Sequence, residues 1–287
     1  MKNIKKIMGL VLTLVLGLTA VGCSSSSSSS SASSEAKDSD VKEIIMASTY
    51  SLDETGFLAD TLKTFEEENG VKVNVVPRGT GEAIELGKSG DADILFVHAK
   101  SKEEEFIKEG YGVDRTEIMY NYFVVLGPKG GEHNEKISEL GVVDAFKYIA
   151  DNDLVFLSRG DQSGTHVKEL SIWKEAGIET PDFSNYNESG KGQAETVKMA
   201  SEMGGYVITD KATYLSNKDD LDLEIVIGED ETLKNVYSVV RIKDIDDETK
   251  AITDKLVEFY ASDEMKDTIR EYGKDKYGEA LYFVIGE

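Results

Sequence analysis

Residues 43–76 read EIIMASTYSLDETGFLADTLKTFEEENGVKVNVV, and this stretch decides the predicted fold class. Residues 43–47 form a short apolar run of strand length, and residues 72–76 repeat that pattern. Between them, residues 56–69 carry apolar side chains at the spacing that places them on one face of a helix. A strand, a helix and a second strand in succession predict an α/β protein with parallel or mixed sheets.

The same alternation continues to the end of the chain. Apolar runs of strand length recur at residues 94–97, 122–126, 154–157, 206–209, 224–227 and 237–242. Helical periodicity recurs at residues 82–88 and over the tail at residues 247–272. We expect folding to begin near Val41, which leaves about 245 residues, enough for one large domain or two lobes.

The first 40 residues have the composition of an export signal followed by a spacer. Residues 1–22 join a positively charged start to an apolar run too short to span a membrane, which predicts a lipoprotein signal peptide. Cys23, the only cysteine, follows the small residues AVG, so we expect it to carry the lipid; the alternative is an ordinary signal peptide and an incidental cysteine. Residues 23–40 are serine-rich and predict a flexible tether. An exported protein, lipid-anchored on the extracytoplasmic face of the cell membrane, is the expected result.

The charge of the chain excludes some partners. It has 32 Lys and Arg against 55 Asp and Glu, a formal charge of −23 that becomes −26 without the three lysines of the signal peptide. Such a surface argues against nucleic acid and against electrostatic binding to anionic lipid. The single cysteine leaves no internal disulfide, so the fold must rest on its apolar core.

Three loops that follow predicted strands carry donor groups at probable helix starts. Residues 48–51 read STYS, residues 78–81 read RGTG, and residues 158–166 read SRGDQSGTH. In α/β sheets, ligands bind beyond the carboxyl ends of strands, where helix N-termini attract anions. Hydroxyls, exposed backbone N–H groups and the planar guanidinium of Arg159 therefore indicate a site for a small oxyanion. The alternative for each loop is structural, because Ser and Thr are common N-caps and glycines permit tight turns.

Residues 158–166 resemble the Ser-Arg-Gly-Asp-x-Ser-Gly-Thr-His segment of tungstate-binding proteins from ABC-type oxyanion uptake systems. The similarity covers nearly all of residues 44–283. It includes the segments GTG at 79–81, LG at 86–87, GDAD at 90–93, MYN at 119–121, GP at 127–128, TD at 209–210, ATY at 212–214 and YG at 277–278, with Leu281. Together these segments are much more specific than any one of them.

The resemblance implies a periplasmic-binding-protein fold, type II-like, with two α/β lobes, two crossover strands and a ligand cleft between the lobes. It places the first lobe at residues 41–123 plus 238–287 and the second at residues 124–237. It also implies a monomeric solute-binding subunit that delivers tungstate, or molybdate, to an ABC permease in the membrane, without a cofactor or a bound metal cation.

The implied ligand site joins the family's donor positions to the loops found above. The family's first loop falls on residues 48–51 and its arginine and threonine donors fall in residues 158–166. The expected ligand-binding residues are Ser48, Thr49, Ser51, Thr80, Arg159, Ser163, Gly164 and Thr165. Arg159 is expected to be the only full side-chain cation on the bound anion.

This chain departs from the family's pattern at several positions. Tyr50 replaces a small hydroxyl residue in the first loop, and Tyr122 stands where an acidic residue is expected. The family's Gly-Gln-Gly-Met-Gly segment reads GKGQA at residues 190–194. These departures affect the choice among oxyanions more than the fold.

Other functions stay open on the sequence alone. Phosphate is the nearest rival ligand; it keeps a proton near neutral pH and so favours an acceptor such as Asp161, whereas tungstate and molybdate need donors only. A hydrolytic enzyme has little support, because Ser163 and His166 have no evident third partner. The three histidines, at 98, 133 and 166, lack metal-ligand spacing, so each is expected to be a surface or capping residue. A surface adhesion lipoprotein would leave the donor loops unexplained.

Overall fold

The computed structural model describes residues 41–287. The predicted signal peptide and tether, with Cys23, lie outside the described residues. Residues 41–287 form one compact unit. The ten strands of this unit are β1 Lys42–Thr49, β2 Val71–Arg78, β3 Ile94–Val97, β4 Gly112–Pro128, β5 Phe156–Ser158, β6 Tyr186–Glu188, β7 Tyr206–Asp210, β8 Leu223–Ile227, β9 Lys234–Ile242 and β10 Phe283–Val284.

Helices separate most of these strands, so the α/β prediction is confirmed. The α-helices of the described unit are α1 Tyr50–Glu54, α2 Phe57–Asn69, α3 Thr80–Ser89, α4 Lys100–Lys108, α5 Asn134–Ser138, α6 Val142–Asp151, α7 Gly164–Glu175, α8 Gln193–Met203, α9 Lys211–Asn217, α10 Asp247–Ala261, α11 Asp263–Glu271 and α12 Lys274–Tyr277.

The strands form two sheet sections that share β4. In the first section β1 pairs in parallel with β2 and β3, while β9 runs antiparallel to both β3 and β4. In the second section β7 and β8 run antiparallel to β4, and β5 lies parallel between β6 and β7. Because parallel strands need a crossover, usually a helix, the helices cover the faces of both sections.

Strand β4 carries the chain from the first section to the second. Its residues from Gly112 to Tyr122 pair with β9, and those from Phe123 to Pro128 pair with β7 and β8. The chain returns between the end of β8 at Ile227 and the start of β9 at Lys234. These two connections are the crossovers expected from the sequence.

Each section has its own buried apolar side chains. Phe96, Tyr237 and Tyr260 belong to a core under the first section, whereas Phe146 and Trp173 belong to a core under the second. Helix α9 is shared: its Ala212 and Leu215 pack into the core of the first section, although the predicted boundaries place them in the second lobe.

Two local features differ from the sequence prediction. The predicted loop at residues 48–51 is shorter than expected, because the one-turn helix α1 begins at Tyr50 directly after β1. The tail, expected to be one helix, breaks at Ser262, which has an extended backbone and accepts a hydrogen bond from the Met265 N–H as the N-cap of α11. A serine favours such a cap because its side chain supplies the acceptor that a helix start lacks.

Candidate functional site

The three donor loops meet where the two sheet sections face each other. β1 leads into α1, β2 leads through Gly79 into α3, and β5 leads through residues 159–163 into α7. The first N–H groups of a helix have no acceptor within the helix, and the helix dipole makes its start positive. The starts of α3 and α7 therefore face a common space with positive potential.

That space is a cavity of about 20 Å³. Seven of the eight predicted ligand residues line it: Thr49, Ser51, Thr80, Arg159, Ser163, Gly164 and Thr165. Tyr50, Arg78, Gly79 and His98 complete the lining, so no carboxylate faces this cavity among the residues the structure describes. A wider cleft of about 930 Å³ shares Tyr50, Arg78, Gly79 and Arg159 with it.

Ser48, the eighth predicted residue, lies outside the lining. It is fully buried, and its hydroxyl donates to the carbonyl oxygen of Phe96 on the neighbouring strand β3 at 2.8 Å. The Ser48 hydroxyl hydrogen is therefore bonded within the sheet and is not available to a ligand. This bond holds the end of β1 against β3 next to the site.

Two buried donors in the lining have no hydrogen-bond partner among the described residues. They are the hydroxyl of Thr80, the first residue of α3, and Nε of Arg159. Leaving a buried donor without an acceptor costs about 1–3 kcal/mol, so such atoms are rare outside functional sites. Both belong to residues that line the same cavity and both suit an anionic ligand.

The other nitrogens of Arg159 are held by side chains. Nη1 donates to Oε1 of Gln193 at 2.7 Å, and Nη2 donates to Asp161. Asp161 also accepts from the Ser163 N–H at 3.0 Å. Burial raises the pKa of Asp161, but the hydrogen bonds from Ser163 and the charge of Arg159 outweigh it and leave that pKa below its ordinary value. Asp161 is therefore the ionised partner of Arg159.

Gln193 joins two of the predicted ligand residues. Its Oε1 accepts from Arg159 and also from the hydroxyl of Thr165 at 2.9 Å, while its Nε2 donates to Thr209 at 2.8 Å. The Thr165 hydroxyl proton is thus directed to Gln193, which leaves the backbone N–H of Thr165 for a ligand. Gln193 lies where the sequence departs from the family's pattern, and the structure gives it contacts to both Arg159 and Thr165.

Ser163 is the N-cap of α7. Its hydroxyl oxygen accepts from the His166 N–H at 3.3 Å, and its side chain and backbone N–H both bond the Asp161 carboxylate. The preceding Gln162 has a positive φ of 59°, and its N–H donates to Nδ1 of His166 at 2.9 Å. These contacts give residues 159–166 one fixed shape.

His98 is a site residue that the sequence prediction missed. It follows β3 directly, lines the cavity, and contacts Nδ1 to Oδ1 of Asn235 at 2.8 Å. Burial, with the nearby charge of Arg159, lowers the pKa of His98 to about 4 against the opposing effect of Asn235, so the ring is neutral at pH 7. The sequence did carry one signal for His98 as a site residue, its position directly after a strand. His98 therefore departs from the expectation of surface or capping histidines. His166 is buried in the first turn of α7, and its contact with the Gln162 N–H agrees with the capping role.

Arg78 changes the expected charge of the site. Its side chain is exposed, lines the same cavity as Arg159, and donates to the carbonyl of Pro77 at 2.8 Å. Arg159 is therefore not the only cation beside the cavity.

The two tyrosines that depart from the family's pattern lie in different places. Tyr50 is 44% exposed and lines the cavity, whereas Tyr122 packs against Tyr120 and Phe283 and does not line the cavity.

Within residues 41–287 no group of three or more His, Cys, Asp or Glu side chains is arranged to hold a metal ion. None of the helices in the same range is long and apolar enough to cross a membrane.

Two lobes with a donor-lined cavity between them define the class of binding proteins, and residues 27–264 match the family described as PBP superfamily domain. The chain belongs to this periplasmic-binding-protein superfamily and, within it, to the family of the tungstate-binding protein TupA. It is 40% identical to TupA of Peptoclostridium acidaminophilum over 286 residues, 98% of each chain. The predicted resemblance is thereby confirmed.

Solved structures agree with this assignment. The tungstate-binding protein TupA from Desulfovibrio alaskensis G20 superposes with a TM-score of 0.74 at 34% identity, covering 86% of this chain and 100% of that one. A structure described as the tungstate ABC transporter from Geobacter sulfurreducens gives a TM-score of 0.70 at 36% identity, covering 80% and 98%. Both similarities extend over the two lobes.

Proposed function

We propose that this chain is the extracytoplasmic solute-binding subunit of an ABC importer and that it captures tungstate between its lobes. The observation that carries the proposal is the pair of buried, unpartnered donors, Thr80 Oγ1 and Arg159 Nε, in one cavity lined by helix starts. A tetrahedral dianion accepts hydrogen bonds from such donors at several oxygens at once. The similarity to tungstate-binding proteins supports tungstate as the ion. The chain acts as a binding subunit and not as an enzyme.

We propose the predicted residues as the ligand site, and their contacts indicate what each one contributes. Thr80 offers a hydroxyl without a partner among the described residues, Thr49 and Ser51 offer hydroxyls 3.3 Å apart, and Arg159 adds charge. Ser163 caps α7 at the edge of the cavity and bonds Asp161. Gly164 and Thr165 contribute backbone N–H groups at the start of α7. Ser48 supports the site from the sheet, because its hydroxyl is bonded to Phe96.

The contacts of Asp161 favour a proton-free oxyanion over phosphate. A carboxylate that receives the proton of hydrogen phosphate must face the ligand, but Asp161 is bonded to Arg159 and Ser163 and lies outside the inner lining. Tungstate and molybdate carry no proton near neutral pH and need donors only. We therefore place tungstate and molybdate ahead of phosphate.

Calorimetry with tungstate, molybdate, sulfate and phosphate tests the proposal on the folded chain from residue 41 onward. We expect tungstate to bind most tightly, molybdate next, and phosphate weakly or not at all. Thermal shift gives a second readout, because a ligand that binds only the folded state raises the melting temperature. Absence of binding to all four anions would contradict the proposal.

We propose residues 41–123 plus 238–287 as the first lobe and residues 124–237 as the second, in a monomer. The transfer of β4 from one sheet section to the other at Tyr122 and Phe123 supports the first boundary. The first-section pairing of β9 supports the return near residue 238, with α9 packed across the division. Chromatography coupled to light scattering, with and without tungstate, should give the mass of one chain.

The export and anchoring of the chain follow from its sequence. We propose cleavage after residue 22, lipidation of Cys23, and attachment to the extracytoplasmic face of the cell membrane, where the protein meets its permease. More than one acyl chain gives a stable anchor, because each buried methylene contributes about 0.8 kcal/mol. Cys23→Ser should leave an uncleaved or soluble protein. Normal processing and membrane association of that variant would contradict the proposal.

A further inference from the structure

Arg78 differs from the other arginines of the chain in its partners. The chain has five arginines and 55 Asp and Glu. Four of the arginines form ion pairs with carboxylates: Arg115, Arg159, Arg241 and Arg270. Arg78 forms no ion pair with the residues the structure describes, and its Nη1 donates to the carbonyl of the preceding Pro77 at 2.8 Å. Its guanidinium is therefore an exposed cation that no carboxylate offsets in a strongly acidic protein.

The position of Arg78 places this charge at the entrance of the ligand site. Arg78 is the last residue of β2, directly before Gly79 and the start of α3. It lines both the inner cavity of about 20 Å³ and the wider cleft of about 930 Å³, as do Tyr50, Gly79 and Arg159. These shared residues lie where the cleft opens into the inner cavity. An anion that enters from the cleft therefore passes Arg78.

The other charged groups of the cleft leave Arg78 as the uncompensated cation of the inner lining. Four carboxylates line the wider cleft and not the inner cavity: Glu82, Glu85, Glu105 and Asp161. Two lysines, Lys88 and Lys102, likewise line only the wider cleft. Arg159 lines the inner cavity, but its ion pair with Asp161 offsets part of its charge. The charge of Arg78 is not offset in this way.

We propose that Arg78 is a ligand-contacting residue of the first lobe and that its charge makes the site select dianions over monoanions of the same shape. This inference rests on the proposed oxyanion site. The Coulomb energy between a fixed cation and a ligand is proportional to the charge of the ligand, so Arg78 attracts a tetrahedral dianion about twice as strongly as a monoanion. Hydrogen bonds from Thr80 and the helix starts depend mainly on the shape of the ion, which the two kinds of ligand share.

Tungstate and perrhenate give the test, because both are tetrahedral ions of four oxygens around a heavy metal, and one is a dianion whereas the other is a monoanion. Arg78→Gln keeps a polar side chain and removes the charge. We expect it to weaken tungstate binding roughly ten- to thirtyfold and perrhenate binding only roughly three- to fivefold, measured by calorimetry at low ionic strength. Equal losses for the two ions would overturn the inference, because a change of shape at the site does not depend on ligand charge.

Arg78→Lys and added salt separate charge from shape. The lysine variant should bind tungstate within about threefold of the wild type, since an exposed cation at this position acts mainly through its charge. Raising the salt concentration from about 20 mM to about 300 mM should reduce the difference between the wild type and Arg78→Gln, because salt screens exposed charges. A lysine variant as weak as Arg78→Gln, or a difference that salt leaves unchanged, would contradict the inference. If perrhenate binds the wild type too weakly to measure, these two results decide.

Lys63→Gln is the matched control. Lys63 is exposed on α2, forms no ion pair within residues 41–287 and lines neither cavity, so its loss changes the net charge by the same amount. Its tungstate affinity should stay within about twofold of the wild type. A loss as large as that of Arg78→Gln would show that net charge alone explains the effect. A wild type that binds no oxyanion contradicts the proposed function instead, whereas normal tungstate binding by Arg78→Gln contradicts this inference alone.

Discussion

Arg159 is fixed by Gln193 and Asp161 before any ligand is considered, and only its buried Nε lacks a partner among the described residues. A charge-assisted hydrogen bond in a closed site contributes about 1.5–3 kcal/mol. Arg159→Ala should therefore weaken tungstate binding roughly tenfold to a few hundredfold, as measured by calorimetry. Arg159→Lys should recover part of the affinity, since it keeps the charge and loses the planar donors.

The control for this experiment is Arg270→Ala. Arg270 lies on α11, pairs with Asp267 and Glu287, and does not line the cavity, so its loss changes net charge and two surface ion pairs but removes no group from the site. If Arg159→Ala keeps its anion affinity and only melts at a lower temperature, Arg159 is a structural partner of Asp161. That result would move the anion elsewhere in the cleft.

Replacement of Thr80 by valine should have opposite effects on the stability of the fold and on tungstate affinity. Its buried hydroxyl has no partner within the described part of the chain, so Thr80→Val should raise the free energy of unfolding of the ligand-free protein by about 1 kcal/mol. The same change removes a donor to the anion and should weaken tungstate binding by about 1–3 kcal/mol, or roughly fivefold to a hundredfold. Urea unfolding and calorimetry give the two values.

Thr165→Val is the matched comparison for Thr80→Val. The Thr165 hydroxyl donates to Gln193, so its removal should lower the free energy of unfolding and affect tungstate affinity less than Thr80→Val does. An equal loss of both stability and affinity in the two variants would show that the Thr80 hydroxyl is not a ligand donor.

Among the secondary-structure elements, β4 is the one that belongs to both sheet sections. A Cβ added at its Gly127 would lie 2.5 Å from Tyr206 Cε1 and 2.8 Å from Val226 Cγ2. Gly127→Ala should therefore lower the free energy of unfolding by about 1–3 kcal/mol in urea. Gly141→Ala is the control, because nothing lies within 4 Å of its added Cβ and its φ of −68° suits alanine. Alanine is a poorer N-cap than glycine, but it also restricts the unfolded chain, so the net change should stay below about 1 kcal/mol. Equal changes in the free energy of unfolding of the two variants would mean that β4 shifts to make room for the Cβ added at residue 127.

Helix α7 carries a buried acid whose titration should appear in the stability of the protein. Glu169 is 1% exposed and accepts from Trp173 Nε1 and the Tyr186 hydroxyl. Burial raises its pKa to about 7, against the lowering effect of these hydrogen bonds. The folded state therefore holds a proton that the unfolded state releases above about pH 4.5, so this group stabilises the fold less as pH rises toward 7.

Glu169→Gln isolates that contribution. From pH 5 to pH 8 the free energy of unfolding of the wild type should fall, relative to that of Glu169→Gln, by up to about 3 kcal/mol, at about 1.4 kcal/mol per pKa unit. Urea unfolding of both proteins at the two pH values measures the difference. A parallel change in the two proteins would show that Glu169 titrates normally.

For the whole molecule, a cavity lined from both sheet sections predicts closure on the ligand. Donors from residues 49–51 and 80 lie on one side, and those from residues 159–165 lie on the other. One anion that bonds both sides should draw the lobes together, so small-angle scattering should show a modest decrease in the radius of gyration with tungstate. Arg159→Ala at the same tungstate concentration is the control. An unchanged radius at saturation would contradict closure.

The alternation of strands and helices, and with it the place of the site, could be predicted from the order of the residues. Polar loops after β1, β2 and β5 could be identified because parallel strands end at one edge, so seven of the eight predicted residues line one cavity. The long β4 and the short α1 were not separable from their neighbours by periodicity. Pairing across the sheet decided the length of β4, because its two halves have different partners.

The tertiary structure alone decided which of these groups can face a ligand. The partners that occupy the hydroxyls of Ser48 and Thr165 lie 48 and 28 residues away, and Asn235, which orients His98, lies 137 residues away. A local pattern shows that a residue has a donor, but it does not show where the proton points. That direction depends on acceptors that only folding brings within hydrogen-bond distance.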